Sequence, residues 1–314
     1  MAIGLSSWRG NRSWITARAK FSNSRIVYTL FMSGVLYIVA TPIGNLDDIS
    51  LRAIEILRSA DVIAAEDTRH SKRMLDHLGI RARLLSCHEH NENARSGEIV
   101  ERLRAGDSVA LISDAGTPLI SDPGYQLVRA VREAGFAVVP IPGASSIIAA
   151  LSAAGLPTDK FYFCGFLSSK AKERLSQLKS LRSIPGTLVL LESTHRIERL
   201  LGHMSEVFAQ NPCVIAKELT KLHERFMSGT AAELLQQLQA DAQLQKGEFV
   251  VLIDNASRHN EADSSADSES LLRDLLMHVP VRVAVDIACR ATGHKKNELY
   301  RKALELQAAD SGAG

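Results

Sequence analysis

The feature that most restricts the fold of this chain is an alternation of short apolar runs with helical patterns in its N-terminal half. The runs have the length and composition of buried strands, and amphipathic segments separate them. Ser50 precedes one such segment and predicts a helix N-cap. Strands that alternate with helices indicate a mostly parallel sheet, so the predicted fold class is α/β. The apolar runs are residues 35–40, 62–65, 108–112 and 137–140.

Each of these predicted strands is followed by a loop that is rich in Gly, Pro, Asp or Ser. In open α/β sheets, the carboxyl ends of the parallel strands form the ligand-binding edge. Gly44, Gly116 and Gly143 let the backbone approach a ligand closely, because they carry no Cβ atom. These features predict a binding site at one edge of the sheet. The loops comprise residues 40–47, 65–69, 113–124 and 140–146.

A second set of strand and helix patterns predicts a second α/β domain, followed by a polar stretch without periodicity and a small helical module that resembles a helix-turn-helix. The predicted division is a basic extension at 1–33, an N-terminal α/β domain at 34–153, a C-terminal α/β domain at 154–256, a linker at 257–270, a helical module of RNA-binding type at 271–307 and a tail at 308–314.

The first 33 residues carry five basic side chains and no acidic one. This composition suits a transit peptide or a basic arm for RNA. It equally suits an upstream extension, with the working protein beginning near Met32. We favour the extension, because a strand pattern begins directly after Gly34.

Composition and motifs exclude several classes of protein. The net charge of +2 leaves no overall attraction to nucleic acid, so any basic footprint must be local. The four cysteines lack the spacing of a zinc site, which predicts no metal and favours a reducing cytoplasm. No apolar run approaches the roughly 20 residues that span a bilayer. The dinucleotide, Walker and nucleophile-elbow motifs are also missing from the sequence.

The exact sequences of the loops are more informative than their composition. Thr41-Pro42-Ile43-Gly44-Asn45, Glu66-Asp67-Thr68-Arg69, residues 113–124 and Pro142-Gly143-Ala144-Ser145 occur in this order, together with residues 87–92 and 192–196. This set resembles the tetrapyrrole-methylase superfamily, and within it the small-subunit ribosomal RNA methyltransferase I family. The resemblance covers about residues 36–255 and continues into the C-terminal module.

This resemblance implies two α/β domains of the tetrapyrrole-methylase fold, with S-adenosylmethionine in the cleft between them. It also implies methyl transfer to the ribose 2′-hydroxyl of a cytidine in small-subunit (16S) ribosomal RNA, free or in the assembled subunit, by a cytoplasmic homodimer. Asp114 and Asp122 could supply a negative field near the sulfonium, and Asp122 is the weaker candidate because Asp before Pro often starts a turn. The expected cofactor contacts are Pro42, Gly44, Asp114, Ala115, Gly116, Ile120, Ser121, Gly143, Ala144 and Ser145.

A ribose hydroxyl is a weak acid, so a nearby base would assist the transfer. Glu66 and Asp67 follow a buried strand at the ligand edge, which favours them over His88, Glu89 and Glu218. We select Glu66 as the expected catalytic residue.

The expected RNA contacts are basic or polar side chains in several segments. Arg69, Lys72 and Arg73 share one helical face. Lys217 and Lys221 could add to the opposite wall of the RNA-binding site. The full expected set is Arg69, Lys72, Arg73, His88, Asn91, His195, Arg196, Lys295, Lys296 and Arg301.

Two other functions remain open from the sequence. A small-molecule methylase acting on a tetrapyrrole would share the fold, but its first loop should read Gly-x-Gly-Pro-Gly instead of Thr-Pro-Ile-Gly-Asn. A non-catalytic RNA-binding or assembly protein should have lost polar residues such as Glu66, Asp114 and Ser145, which are all present.

Overall fold

The computed structural model describes residues 34–256, 269, 271–292 and 296–311. It divides into two compact units. The first contains the chain up to Thr41 and Ile49–Gly143, and the second contains Pro42–Asp48 and the chain from Ala144 onward. The predicted extension at 1–33, nearly all of the predicted linker, Lys295 and the last three residues lie outside the described residues.

The first unit is built on a five-stranded, fully parallel sheet. Its spatial order is β3-β2-β4-β1-β5, so β2, β4 and β1 are neighbours at its centre. Every residue of β2 and β4 is buried, which explains why these strands are continuous apolar runs. The strands are β1 (Val35–Val39), β2 (Val62–Ala65), β3 (Leu84–Ser86), β4 (Val109–Ile112) and β5 (Ala137–Ile141).

Four helices of the first unit cover the two faces of this sheet. One apolar cluster contains Leu57 and Leu75, and the other contains Leu103 and Val131. The Ser50 hydroxyl accepts a hydrogen bond of 3.1 Å from the backbone N–H of Ala53, so the predicted N-cap is confirmed. The helices are α1 (Leu51–Ser59), α2 (Thr68–His77), α3 (Glu92–Arg104) and α4 (Tyr125–Glu133).

The second unit contains a mixed sheet of order β6-β7-β10-β8-β9, in which only the β6–β7 pair is parallel. Its strands are β6 (Phe161–Gly165), β7 (Thr187–Ser193), β8 (Cys213–Lys217), β9 (Arg225–Gly229) and β10 (Glu248–Asp254). Its helices are α5 (Ser146–Ala153), α6 (Ala171–Leu181), α7 (Ile197–Val207) and α8 (Ala231–Ala240).

The division between the units differs from the predicted boundary at residue 153 by one helix. The apolar face of α5, with Ile147 and Leu151, packs against Val189 and Val214 of the second sheet. Ile43 joins the same cluster, which explains why Pro42–Asp48 groups with the second unit.

The C-terminal region is helical at 271–276 and then forms α9 (Val281–Thr292) and α10 (Lys296–Ser311). Ala284, Val285 and Ala288 of α9 pack with Leu299 and Ala303 of α10. The sequence predicted this helical module. Among the described residues, the helices are too short or too polar to cross a membrane.

Candidate functional site

The ends of β1, β2 and β4 meet at one edge of the first sheet, as the loop pattern predicts. Thr41 and Gly116 form an antiparallel bridge, with N–H to oxygen distances of 2.8 and 3.0 Å. The backbone N–H of Asp67 donates to Oδ1 of Asp114 over 3.1 Å. These bonds join three chain segments that are far apart in sequence, so the strand ends are tied to one another directly.

Three carboxylates, those of Glu66, Asp114 and Asp122, share this edge. Partial burial raises the pKa of Glu66 above its ordinary value, and the charges of Asp122 and Asp114 raise it further. Burial also raises the pKa of Asp122, to which the charge of Asp114 adds. The described residues contain no cluster of His, Cys, Asp and Glu suited to a metal ion. The carboxyl groups therefore concentrate negative charge at this edge.

The loop between β4 and α4 has an unusual backbone. Leu119 and Ser121 have φ angles of 75° and 67°, a region that residues with a side chain seldom adopt. Such conformations cost about 1–3 kcal/mol each and concentrate at ligand sites. Ile120, which lies between them, exposes 46% of its surface. The strained segment thus presents Ile120 and Ser121 to solvent.

Glu92 anchors the far end of this loop, although sequence reasoning did not select it as a site residue. Its buried Oε1 accepts hydrogen bonds from the N–H groups of Gly124 (3.1 Å) and Leu127 (3.0 Å). These N–H groups belong to the first turn of α4, which is a favourable place for a carboxylate. Glu92 lies in the segment 87–92, which contributes to the family resemblance, but nothing in its spacing from Gly124 indicates the contact.

Asp67, the other acidic residue after β2, serves as the N-cap of α2. Its Oδ1 accepts from the N–H groups of Arg69 (2.8 Å) and His70 (3.3 Å), which lower its pKa. A carboxylate held in this way is a poor base. The geometry therefore gives the two acids different surroundings, because Asp67 serves as a helix N-cap.

Arg69, Lys72 and Arg73 extend from α2, the helix that begins at this edge. All three are exposed, and the side chain of Arg69 is 90% accessible. Arg69 approaches Asp67 only to 3.7 Å, and such exposed pairs contribute little to stability. These three charges are thus available to a phosphate backbone.

His88 and Asn91, expected to contact RNA, hold each other in place. Asn91 Oδ1 accepts from the His88 backbone N–H at 2.9 Å, and its Nδ2 lies 3.2 Å from Nε2 of the His88 ring. The His88 Nδ1 atom is buried and has no hydrogen-bond partner among the described residues.

Of the remaining expected RNA contacts, Arg196 is engaged inside the second unit. Its Nε lies 3.0 Å from Oε1 of the buried Glu192, and its guanidinium also donates to the Leu167 carbonyl. Lys296, the first residue of α10, forms an ion pair with Asp286 of α9. His195 and Arg301 are exposed.

Four expected cofactor contacts belong to the second unit: Pro42, Gly44, Ala144 and Ser145. A Cβ on Gly44 would lie 2.5 Å from Cγ of Lys221 and 2.9 Å from the Leu219 carbonyl oxygen, so this glycine is required for packing within its own unit. Ser145 occupies the N-cap position of α5, but its hydroxyl makes no capping hydrogen bond. That hydroxyl is not consumed by the helix.

Comparison with known proteins agrees with this geometry. The family model described as Tetrapyrrole (Corrin/Porphyrin) Methylases matches residues 35–235, and the one described as RsmI C-terminal HTH domain matches residues 262–307. A protein from Pseudomonas aeruginosa named Ribosomal RNA small subunit methyltransferase I is 47% identical over 277 residues, which cover 88% of this chain and 98% of the relative. A protein of the same name from Escherichia coli O157:H7 is 46% identical and covers 87% of this chain and 96% of the relative.

The chain belongs to the ribosomal RNA small subunit methyltransferase I family. This confirms the resemblance drawn from the loops. It is a family of S-adenosylmethionine-dependent ribosomal RNA methyltransferases, so the predicted cofactor is confirmed at the level of the family.

Solved structures confirm the fold of this family member. A diphthine synthase aligns with a TM-score of 0.54 at 20% identity, covering 70% of this chain and 89% of its own. A cobalt precorrin-4 methyltransferase aligns with a TM-score of 0.52 at 18% identity, covering 69% and 94%. A uroporphyrin-III C-methyltransferase from Thermus thermophilus, solved with S-adenyl homocysteine, aligns with a TM-score of 0.50 at 17% identity, covering 71% and 99%.

The first unit fits the cofactor of the family. Sulfonium is a cation, and the neighbouring carboxyl groups of Glu66, Asp114 and Asp122 are of the sign that would suit it. At the end of β5, a Cβ on Gly143 would lie 3.0 Å from the Cβ of Ala40, so the glycine backbone packs closely at the binding edge. Asp114, Ala115, Gly116, Ile120, Ser121 and Gly143 are the residues of this unit that would hold the cofactor.

Proposed function

We propose that this protein transfers a methyl group from S-adenosylmethionine to the ribose 2′-hydroxyl of a cytidine in small-subunit ribosomal RNA. The observation that carries the proposal is the position of Glu66 beside Asp114 and Asp122 at the strand ends, in a chain of this family. This arrangement supplies both a field for a cationic donor and a base for a weakly acidic hydroxyl.

Bound S-adenosylmethionine supplies an activated methyl group with a good leaving group. The main task of the protein is then to align the ribose oxygen with that group, which can contribute several kcal/mol by itself. The proposed contacts in the first unit are Asp114, Ala115, Gly116, Ile120, Ser121 and Gly143, and those in the second are Pro42, Gly44, Ala144 and Ser145. The bridge between Thr41 and Gly116 and the anchor at Glu92 keep the first set rigid.

Glu66 is the proposed general base. Burial raises its pKa, and the charges of Asp122 and Asp114 raise it further, which makes its carboxylate a stronger base than an ordinary glutamate. The Glu66 carboxylate would receive the proton of the ribose 2′-hydroxyl as the oxygen–methyl bond forms and the methyl–sulfur bond of the donor breaks, so that the donor would leave as a neutral thioether. Asp67 is unsuited to this role because it caps α2.

The proposed RNA contacts follow from charge and exposure. Arg69, Lys72 and Arg73 on α2 have the strongest support, since they extend from the helix that begins beside Glu66. The wider proposed set adds His88, Asn91, His195, Arg196, Lys295, Lys296 and Arg301. We further propose that the protein acts as a homodimer in the cytoplasm, on ribosomal RNA or the assembled small subunit.

The test is transfer of labelled methyl from S-adenosylmethionine to small ribosomal subunits from cells that lack this protein, followed by nucleoside analysis. We expect a 2′-O-methylated cytidine with the wild-type protein. Label in a base, or in no RNA although the cofactor binds, would contradict the proposal. In the second case a small-molecule substrate gains support.

A further inference from the structure

The described residues of the first unit include three aromatic side chains, and two of them serve the core. Tyr37 and Phe136 are partly buried and pack against the two apolar clusters that flank the sheet. Tyr125, the first residue of α4, belongs to neither cluster and exposes 63% of its surface. Packing within the unit therefore does not explain why an aromatic ring stands at this position.

Tyr125 follows directly on the loop that carries part of the candidate site. Burial and then the charge of Asp122 raise the pKa of Glu66, which places these two carboxyl groups close together. Tyr125 is three residues after Asp122, and a residue of extended chain spans at most about 3.6 Å. The Cα atoms of Asp122 and Tyr125 are thus within about 11 Å of each other. The exposed ring is a near neighbour of the proposed general base.

The backbone that carries the ring is fixed on both sides. The buried Glu92 accepts hydrogen bonds from the N–H groups of Gly124 and Leu127, which flank Tyr125 in the first turn of α4. Gly124 has a φ of 128°, and a Cβ on it would lie 2.9 Å from Cδ2 of Leu111. The chain therefore enters α4 along one path. A side chain on a fixed backbone loses less freedom when it binds a ligand.

The ring itself is restrained by a neighbour on the same helix. Tyr125 and Arg129 are four residues apart on α4 and share one of its faces. Arg129 Nε donates to Glu133 Oε1 over 2.7 Å. This bond, and after it the Tyr125 hydroxyl, raise the pKa of Arg129, so the hydroxyl lies beside the guanidinium group. Most of the ring surface stays exposed in this arrangement.

The same edge of the unit carries cations. The hydrogen bond from the Asp67 N–H to Asp114 places the start of α2 beside the loop that leads to Tyr125. The three exposed basic residues of α2 described above follow within two turns. Proteins that bind single-stranded RNA combine cations, which contact the backbone, with aromatic rings, on which unpaired bases stack. The edge provides both kinds of group.

We propose that Tyr125 stacks on an unpaired base of the substrate RNA, close to the ribose that is methylated. This inference rests on the proposed function, which brings a ribose to Glu66. The stacked base holds the strand while the ribose oxygen aligns with the methyl group, and such alignment is the main task of the protein in this reaction. The sequence shows Tyr125 only as the residue after the loop 113–124, and its exposure distinguishes it in the structure.

The experiment separates a base contact from a contact to the RNA backbone. Affinity of the full chain is followed by fluorescence anisotropy for two labelled oligoribonucleotides of equal length, one with bases and one abasic, over a range of salt concentrations. Affinity for S-adenosylmethionine is measured by calorimetry, and molecular mass by light scattering. The variants are Tyr125→Ala and Tyr125→Phe, which keeps the ring. Tyr162→Ala, at a tyrosine of β6 that is 47% exposed, is the matched control.

We expect Tyr125→Ala to bind the base-containing RNA roughly tenfold more weakly than the wild type, because one stacking contact is lost. The abasic RNA should bind both proteins equally. The salt slope should not change, since no phosphate contact is removed. Tyr125→Phe and Tyr162→Ala should bind RNA as the wild type does. The unfolding temperature and the affinity for S-adenosylmethionine should be the same in all four proteins.

Unchanged affinity of Tyr125→Ala for the base-containing RNA would overturn the inference. An equal loss for the two RNAs would also overturn it, because the contact would then be to the backbone. A loss of S-adenosylmethionine affinity would assign the ring to the cofactor, and a change in molecular mass would assign it to a protein contact. Wild-type protein that binds RNA through Tyr125 but methylates no ribose would contradict the proposed function alone.

Discussion

Asp67 donates its backbone N–H to the carboxylate of Asp114, so the ends of β2 and β4 are joined by a residue that also faces the proposed cofactor edge. The Asp114 side chain thus has two separable roles: it accepts a hydrogen bond, and it carries a negative charge. Asp114→Asn keeps an acceptor oxygen and removes the charge.

We expect Asp114→Asn to weaken binding of S-adenosylmethionine roughly tenfold, which corresponds to about 1.4 kcal/mol. Binding of S-adenosylhomocysteine should change much less, because its thioether carries no positive charge. Calorimetry with both ligands measures the difference. Asp76→Asn on the exposed side of α2 is the control. An equal loss for the two ligands would show that the charge of Asp114 does not act on the sulfonium.

Glu66→Gln should lower the rate of methyl transfer roughly 10²-fold or more, with little effect on cofactor binding. In the wild type, the acidic limb of the pH–rate profile should lie above the ordinary glutamate pKa of 4.5, because burial and neighbouring carboxylates raise the pKa of Glu66. That limb should vanish in the variant. Glu55→Gln, at an exposed position on α1, should behave as the wild type.

The same shift affects stability in a defined direction. A carboxyl group whose pKa is raised by folding binds more protons in the native state, so the free energy of unfolding falls as pH rises from the unfolded pKa through the folded one. Replacing Glu66 with Gln removes this loss. Denaturant unfolding at several pH values should therefore show the stability of the variant gaining on the wild type between acidic and neutral pH. A constant difference across pH would argue against the raised pKa.

Glu92→Ala should destabilise the protein by about 1–3 kcal/mol, because the N–H groups of Gly124 and Leu127 lose their buried acceptor. It should also weaken cofactor binding by releasing the loop that carries Ile120 and Ser121. Glu92→Gln retains an acceptor oxygen and should restore most of both properties. Chemical denaturation and calorimetry on the two variants distinguish the hydrogen-bond role from a general loss of packing.

Gly44→Ala should destabilise the second unit by about 1–3 kcal/mol, since its Cβ would overlap Lys221 and the Leu219 backbone. Gly97→Ala is a matched control within α3, where a Cβ would meet nothing within 4 Å. It should raise stability by about 0.5–1 kcal/mol, because alanine favours helix over glycine. We expect the unfolding midpoint to fall in Gly44→Ala and to rise in Gly97→Ala. An unchanged midpoint in Gly44→Ala would refute the packing argument.

The sequence predicted best those strands that are buried on both faces of the sheet. Residues 62–65 and 109–112 are buried on every side, so their composition alone indicates strands. Residues 225–229, with an exposed Arg225 beside a buried Met227, form an edge strand that was not predicted. The parallel topology then made the position of Glu66 and Asp114 at one edge predictable.

What sequence could not supply are contacts that depend on the folded path of the chain. Glu92 accepts hydrogen bonds from Gly124 and Leu127, which lie 32 and 35 residues away, and no local pattern encodes those distances. The pairing of Arg196 with Glu192 could not be read from their spacing, because Glu192 lies in strand β7 and the four-residue rule for charge pairs holds within helices.

The seven residues Pro42–Asp48 lie between two stretches of the first unit but pack with the second, through Ile43. A single recombination point between the units, at Gly143 and Ala144, would therefore separate Ile43 from Val214 and Leu219, against which its cluster is built. A chimaera that exchanges one unit between two relatives would have to keep this short segment from the same parent as the second unit to preserve that cluster.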